Sequence, residues 1–288
     1  MVRKEEIRLV ATDLDGTLLR DDKTISVADY NSLVGLGKFG IVRVAATGRS
    51  LHKVYEVLSV DTPFDFIVFS TGAGIFDWKK QQLLFAEQFD GQRSYQLCSF
   101  LYKLGINFLI FKPIPHNNLF YYHRGISFCP EFENYLARHV GDFEQLNVLD
   151  YNGIAGQFLI FIPNNNSIFN DLRDRLLREF DNIKIIRATS PVDNHFIWLE
   201  IFPGSVSKGH GICWLCDFLG IDRKHTVAVG NDFNDIDMLD IVENPYVLGN
   251  SPDELKEIYR SVGSSNNTNG FTDVATLFFP LKASLSDY

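Results

Sequence analysis

Cysteine is scarce in this chain, with four scattered residues among 288. So few thiols in so long a chain exclude a disulfide framework and fit a reducing compartment. Positive charge is also short: 27 Lys and Arg face 36 Asp and Glu, a formal net charge of −9. That deficit argues against nucleic acid as a partner. It also disfavours free approach of an anion, so a metal or local cations must supply attraction; otherwise the acidity serves solubility alone. Long apolar runs are missing, and nothing approaches the roughly 20 residues of a membrane helix, so no membrane partner is expected. The start is charged and its apolar run ends at Asp13, so no secretory signal is read and a cytoplasmic location is expected. Asn-Asn-Ser at 165–167 and Asn-Asn-Thr at 266–268 are then glycosylation sequons by spelling only. Internal repeats and low-complexity tracts are absent. Phenylalanine is plentiful, with 25 residues, which implies well-filled cores. The length suits a large core plus a second unit.

The first third alternates strand and helix. Strands are predicted at 7–11, 41–46 and 66–69, with a helix over 27–39 whose inner face carries Leu33, Val34 and Leu36. Ser50 is placed to cap a helix bearing Val54, Val57 and Leu58. The last third alternates in the same way, with a helix over 208–219, a strand at 226–229, a polar loop at 230–235, a strand at 246–248 and a helix over 252–262. Such alternation implies parallel crossovers. The middle differs. Aromatic strands at 108–111 and 119–123 flank a Pro/Asn turn, and further strands are predicted at 158–162, 183–186 and 196–201. Paired strands with short turns indicate a separate, partly antiparallel α/β unit. The expected fold is therefore α/β, a Rossmann-like parallel-sheet core from 1–83 and 203–288 with an inserted α/β domain at 84–202.

Chemistry concentrates at the strand ends of the outer thirds. Asp13-Leu14-Asp15-Gly16-Thr17 follows the first strand, where open α/β sheets put their ligands. Two like charges this close repel unless a cation sits between them. Asp-x-Asp-Gly-Thr arises by chance on the order of once in several hundred chains of this length at ordinary residue frequencies. Thr47, Lys208 and the 231–235 loop fall at further strand ends or loops of the same sheet. Together they supply the parts of phosphoryl transfer: a nucleophile, an acid for the leaving oxygen, and charge for the equatorial oxygens. Asp13 suits the nucleophile and Asp15 the acid and later base, provided it is protonated in the resting complex. Thr47 and the amides around Leu14 and Gly48 suit the phosphate, and Lys208 neutralises it while holding Asp13 ionised. Mg²⁺ prefers oxygen ligands, which Asp13, a backbone carbonyl at Asp15 and the side chains of Asn231, Asp232 and Asp235 in the 231–235 loop could provide. Arg49 and Asn234 are candidates for substrate contact.

These residues carry a resemblance. Asp13-Leu14-Asp15-Gly16-Thr17-Leu18, Ala46-Thr47-Gly48-Arg49, Ser70-Thr71-Gly72-Ala73, Val206-Ser207-Lys208-Gly209, Gly230-Asn231-Asp232-Phe233-Asn234-Asp235, Val247-Leu248-Gly249-Asn250 and Asn267-Thr268-Asn269-Gly270-Phe271 occur in that order. In this the chain resembles haloacid-dehalogenase-superfamily phosphohydrolases of the Cof-like branch, whose large α/β cap follows the third core strand. The middle region matches by length and alternation only. The resemblance implies a Mg²⁺-dependent phosphatase with Asp13 as nucleophile, Asp15 as acid/base, and Thr47 and Lys208 on the phosphate. One position departs: relatives usually carry Asp where this chain has Asn231, so either its uncharged amide oxygen ligates or Asp232 takes the role by a small loop shift, while Asp235 keeps its place and acts through a water or holds Lys208. Thr71, where relatives often carry Asn, is a milder change.

Weaker signals read as structure. Cys213-x-x-Cys216 lacks the second Cys/His pair of a zinc site. The aromatics Phe108, Phe111, Phe120, Tyr121 and Tyr122 read mainly as packing, and His116, His123 and His195 show no ligand spacing. The favoured function is hydrolysis of a small phosphate monoester, a sugar phosphate first, by a monomer or homodimer. A sugar phosphomutase using the same site and a weakly catalytic phosphate sensor are the alternatives.

Overall fold

The structure, a computed structural model, describes residues 7–189 and 195–279; the charged start read above lies outside them. The first third runs β1 (Leu9–Thr12), α1 (Val27–Lys38), β2 (Val42–Ala46), α2 (Leu51–Tyr55), β3 (Phe66–Phe69), β4 (Gly74–Asp77) and β5 (Gln82–Ala86). The middle runs α3 (Gly91–Lys103), β6 (Phe108–Phe111), β7 (Phe120–His123), α4 (Pro130–Arg138), β8 (Phe143–Gln145), β9 (Gln157–Pro163), α5 (Asn166–Glu179), β10 (Ile183–Thr189) and β11 (Phe196–Pro203). The last third runs α6 (Lys208–Leu219), β12 (Thr226–Gly230), α7 (Ile236–Leu239), β13 (Asn244–Val247), α8 (Asp253–Ile258), β14 (Arg260–Ser261) and α9 (Gly270–Phe278).

The chain divides into two compact units. One comprises residues up to Arg49, Lys53–Phe85 and Ser207 onward; the other comprises Ser50–His52 and Ala86–Val206. The first holds a sheet in the order β14-β13-β12-β1-β2-β3-β4-β5. β1 pairs in parallel with both β12 and β2, and β2–β3, β12–β13 and β13–β14 are parallel too. Leu9–Thr12 is buried throughout, as expected of a strand covered on both faces. Leu9 and Ala11 pack in one cluster with Ile212, Leu215 and Met238.

The second unit holds a sheet in the order β10-β11-β9-β6-β7-β8, antiparallel except at β7–β8. Its strands alternate two buried faces. Phe108, Ile110, Phe158, Ile160, Leu199 and Ile201 pack with Leu97 and Leu101 of α3 and Leu172 and Leu176 of α5. Leu109, Phe111, Phe120, Leu159 and Phe161 pack with Phe132, Tyr135 and Leu136 of α4. The aromatics at 108, 111 and 120 are therefore core. Tyr121 and Tyr122 are half-buried, with Lys112 over the first ring and Arg124 over the second.

The mixed α/β class agrees with the sequence reading, and several element boundaries differ. The helix expected over 252–262 stops at Ile258, and Arg260–Ser261 joins the sheet beside β13. β4 runs antiparallel to β3, in a stretch for which the sequence reading assigned no element. β8 forms on Phe143-Glu144-Gln145, which has no alternating pattern to announce it. Short strands of this kind depend on neighbours rather than on intrinsic preference. On α1 the buried positions are Leu33, Leu36, Ser32 and Asp29, with Val34 only partly covered. Asp29 is fully buried and accepts hydrogen bonds from Ser26 Oγ (2.8 Å), the Thr272 amide (2.9 Å) and Thr272 Oγ1 (2.8 Å). It thereby fastens the start of α1 to α9.

The turn between β3 and β4 is strained. Thr71 has φ +60, a left-handed conformation disfavoured for a β-branched residue. Its amide donates to the Thr47 carbonyl (3.0 Å), which holds it there. Replacing Thr71 with Asn, which tolerates this region better, should stabilise the protein by about 1 kcal/mol, read from urea unfolding midpoints. Asp29→Ala leaves three donors without their acceptor and should cost about 2–3 kcal/mol in the same measurement.

Candidate active site

β1 lies between β12 and β2, so the strand order reverses there and a crevice opens at the carboxyl ends of the parallel strands. Asp13 follows β1, Thr47 follows β2 and Asn231 follows β12. The Asp13 amide donates to the Val229 carbonyl (2.9 Å), which extends the β1–β12 ladder by one residue. The Thr47 amide donates to the Val68 carbonyl (2.8 Å) in the same way. Asp13 and Thr47 are thus placed by sheet register rather than by flexible loops.

Lys208 is the first residue of α6, whose N-cap Ser207 accepts from the His210 amide (2.9 Å). Its ammonium donates to Asp13 Oδ1 and Asp235 Oδ1, each at 2.7 Å. All three groups are buried. Gly72 makes this approach possible, because a Cβ there would stand 1.9 Å from the Ser207 carbonyl oxygen. The second oxygen of Asp235 accepts the amides of Asn231 (2.9 Å) and Asp232 (3.2 Å). Burial pushes the Asp13 carboxyl up to about 7, with Lys208 opposing and Asp235 reinforcing the rise. Burial would lower Lys208, but its two carboxylate partners hold it above the usual lysine range.

Asp15 differs from Asp13. It is partly exposed and takes a bidentate fork from Arg49, Nε at 2.6 Å and Nη2 at 2.7 Å, plus Lys23 Nζ at 2.9 Å. Partial burial would raise its carboxyl, but the hydrogen bonds from Arg49 and Lys23 outweigh this and hold it below the usual range. The sequence reading made the acid role of Asp15 conditional on its being protonated in the resting complex. Here two cations keep it an anion.

A cleft of about 390 Å³ is lined by Asp13, Asp15, Thr47, Gly48, Arg49, Asn231, Asp232 and Asn234. Eight of the residues singled out from sequence therefore share one cavity. The Leu14 amide hydrogen-bonds the Asp13 carboxylate at its wall. Lys208 and Asp235 sit behind the cleft. Asp235, grouped from sequence with the metal ligands, has both oxygens committed to Lys208 and to loop amides.

The oxygen donors near the cleft suit a hard cation. Asp13 offers the oxygen not bound by Lys208, and the Asp15 backbone carbonyl lies next along the chain. Asn231 Oδ1 accepts from Thr17 Oγ1 (3.0 Å) and keeps a second lone pair. Asp232 is exposed and its Oδ1 accepts the Phe233 amide (2.7 Å), capping the turn at Phe233–Asp235. Among the described residues, no three His, Cys, Asp or Glu side chains converge as a metal cluster. A cation here would thus draw on amide and backbone oxygens and on water as well as on Asp13. Gly16 carries φ +79, and a Cβ on it would stand 2.7 Å from Asn231 Nδ2, so only glycine lets the two loops meet.

Lys23 was missed from sequence. It belongs to the polar run 21–24, read only as a loop, and no spacing rule links it to Asp15. The remaining signals stay structural. All four cysteines are free, with Cys98, Cys129 and Cys216 buried, and no described helix is long and apolar enough to cross a membrane.

Comparison with known proteins accords with this geometry. A model of the haloacid dehalogenase-like hydrolases matches residues 10–274. A Bacillus subtilis protein named 5-amino-6-(5-phospho-D-ribitylamino)uracil phosphatase is 26% identical over 281 residues, covering 92% of this chain and 95% of its own. Phosphatase YwpJ of the same organism is 24% identical over 292 residues, 92% and 97% of the two chains. A solved HAD-superfamily phosphatase from Bacteroides thetaiotaomicron superposes with a TM-score of 0.75 at 16% identity, over 95% and 96% of the chains. A HAD subclass IIB sugar phosphatase gives 0.70 at 16% identity, over 95% and 99%. At that identity the structures speak to the fold alone; the family match over most of the chain goes further, and the protein belongs to the haloacid dehalogenase-like hydrolases.

Proposed function

We propose that this hydrolase removes phosphate from a small sugar or polyol phosphate through an aspartyl-phosphate on Asp13. That it is a phosphoric monoester hydrolase follows from the family and from the phosphatases among its relatives. The observation that carries the mechanism is the buried Asp13–Lys208–Asp235 group at the end of β1. One Asp13 oxygen is tied to Lys208, leaving the other to attack phosphorus. A new Asp13 O–P bond forms as the ester P–O bond breaks. Asp15 gives its proton to the departing alkoxide, then accepts a proton from the water that attacks the aspartyl-phosphate. Inorganic phosphate leaves and Asp13 is regenerated.

For the first step Asp15 must exchange cations for a proton. Guanidinium forks bind phosphate and carboxylate in the same bidentate geometry, so an incoming phosphate competes for Arg49 and loosens its hold on Asp15. Thr47 and the Leu14 and Gly48 amides receive the phosphate oxygens, and Asn234 at the cleft wall meets the organic part. We assign Asp235 to hold Lys208 and the Asn231–Asp232 amides rather than to ligate.

Mg²⁺, when bound, would neutralise charge building on the phosphate. Asp13, the Asp15 carbonyl and Asn231 would hold it. Asn231 is preferred to Asp232 because its oxygen lies against the 16–17 loop, whereas Asp232 is exposed and engaged as a cap. The sugar-phosphate class is supported by two comparisons, one relative named for a phosphoribityl compound and one neighbour titled a sugar phosphatase.

Asp13→Asn should lower kcat at least about a thousandfold across sugar phosphates and p-nitrophenyl phosphate, with loss of trapped phosphoenzyme in rapid-quench experiments. Substantial residual turnover would refute covalent catalysis. Calorimetric Mg²⁺ titration tests the ligand choice: Asn231→Ala should weaken binding about tenfold, whereas Asp232→Ala leaves it within about twofold. The opposite ranking would transfer the role to Asp232.

A further inference from the structure

Three asparagines beyond the cleft are unused by this mechanism. Asn250 follows β13, and Asn266 and Asn267 lie in the 3-10 turn Asn266–Thr268 after β14. Asn250 Nδ2 donates to the Gly16 carbonyl at 2.9 Å. The Asn266 amide donates to Asn250 Oδ1 at 3.2 Å, which links the two loops. Asn266 is 2% exposed, and its Nδ2 donates to the Leu19 carbonyl (3.1 Å) and to Asp21 Oδ1 (3.0 Å). Asn267 Nδ2 donates to Asp21 Oδ2 (2.8 Å), and the Asp21 amide returns a bond to Asn267 Oδ1 (3.2 Å). Amide side chains from two loops thus grip the segment 16–21 at Gly16, Leu19 and Asp21.

We propose that Asn250 and Asn266 are positioning residues that clasp this segment and so hold Asp15 where the leaving-group oxygen departs. The inference rests on the phosphatase reading above. Its physical basis is an asymmetry between the two aspartates. Asp13 is pinned by the β1–β12 ladder and by Lys208, neither of which involves the clasp. Asp15 lies beyond the last ladder bond, next to a glycine at φ +79. Its side chain is held by Arg49 and by Lys23, which is half exposed. Lys23 itself rides on the turn closed by the Arg20 amide to the Thr24 carbonyl (2.9 Å), which contains the clasped Asp21. Loosening the clasp therefore frees Asp15 and Lys23 while leaving Asp13 in register.

Proton donation matters most for a poor leaving group, and p-nitrophenolate departs without it. The test compares kcat/KM for a sugar phosphate that the wild-type enzyme hydrolyses with that for p-nitrophenyl phosphate, at saturating Mg²⁺. Asn250→Ala and Asn266→Ala should lower the sugar-phosphate value about 30-fold and the aryl value by less than about threefold. In an Asp15→Asn background the ratio is already lost, and adding Asn250→Ala should lower it no further. Asn250 is exposed, so its variant carries the test even if Asn266→Ala does not fold. Equal losses on both esters, or no loss on either, would overturn the clasp. Wild-type hydrolysis abolished by Asp13→Asn secures the underlying reading; failure of that control overturns the reading and the inference together.

Discussion

One buried ammonium organises the site. Lys208 lies between Asp13 and Asp235 with no solvent to share the load, and each depends on the others. Without the lysine, two carboxylates would face each other in a dry pocket; without either acid, a buried cation would be left undercompensated. Removing one partner of such a buried set typically costs about 3–5 kcal/mol. The geometry demanded by this contact spreads outward. It brings the start of α6 against the turn after β3, which requires Gly72, and it fixes Asp235, whose second oxygen orders the loop carrying Asn231 and Asp232.

The two aspartates of Asp13-x-Asp15 occupy unlike surroundings although they stand two residues apart. Asp13 is enclosed and aligned by the sheet, so its environment raises the carboxyl toward neutrality while Lys208 opposes the rise. Asp15 faces the cleft, where the cations of Arg49 and Lys23 favour its charged form. Paired carboxylates with divergent environments commonly divide the nucleophile and acid/base roles. Here the difference in surroundings follows from where the ladder ends. Residues within it are set by register, and those beyond it rely on side chains from other loops.

The middle unit illustrates a different use of sequence. Its aromatic strands read mainly as packing, and both faces of the sheet are covered by helices, with alternate residues going to the two cores. What remains half exposed, Tyr121 and Tyr122, lies under Lys112 and Arg124. Strand periodicity shows which residues share a face, and burial of the other face became visible only once α4 was placed against it.

Much of the fold was legible because buried parallel strands are short apolar runs with little ambiguity, and helices between them carry caps and periodicity. The short strands β4, β8 and β14 were not, since strands of so few residues take their stability from a neighbour's hydrogen bonds. The same contrast governs the site. The order of residues alone reveals the chemical inventory: Asp13, Asp15, Thr47, Lys208 and the 231–235 loop are recognisable because each sits at a strand end or loop beside a glycine or a cap. How those groups are arranged was decided by folding. Tertiary contacts turned Asp235 inward to Lys208 and brought Lys23 and Arg49 onto Asp15. They set Asn231 against Thr17, and Asn250 and Asn266 around the loop at 16–21. A hydrogen bond between residues more than two hundred positions apart leaves no periodic trace in the chain; it exists only where folding has brought the two loops together.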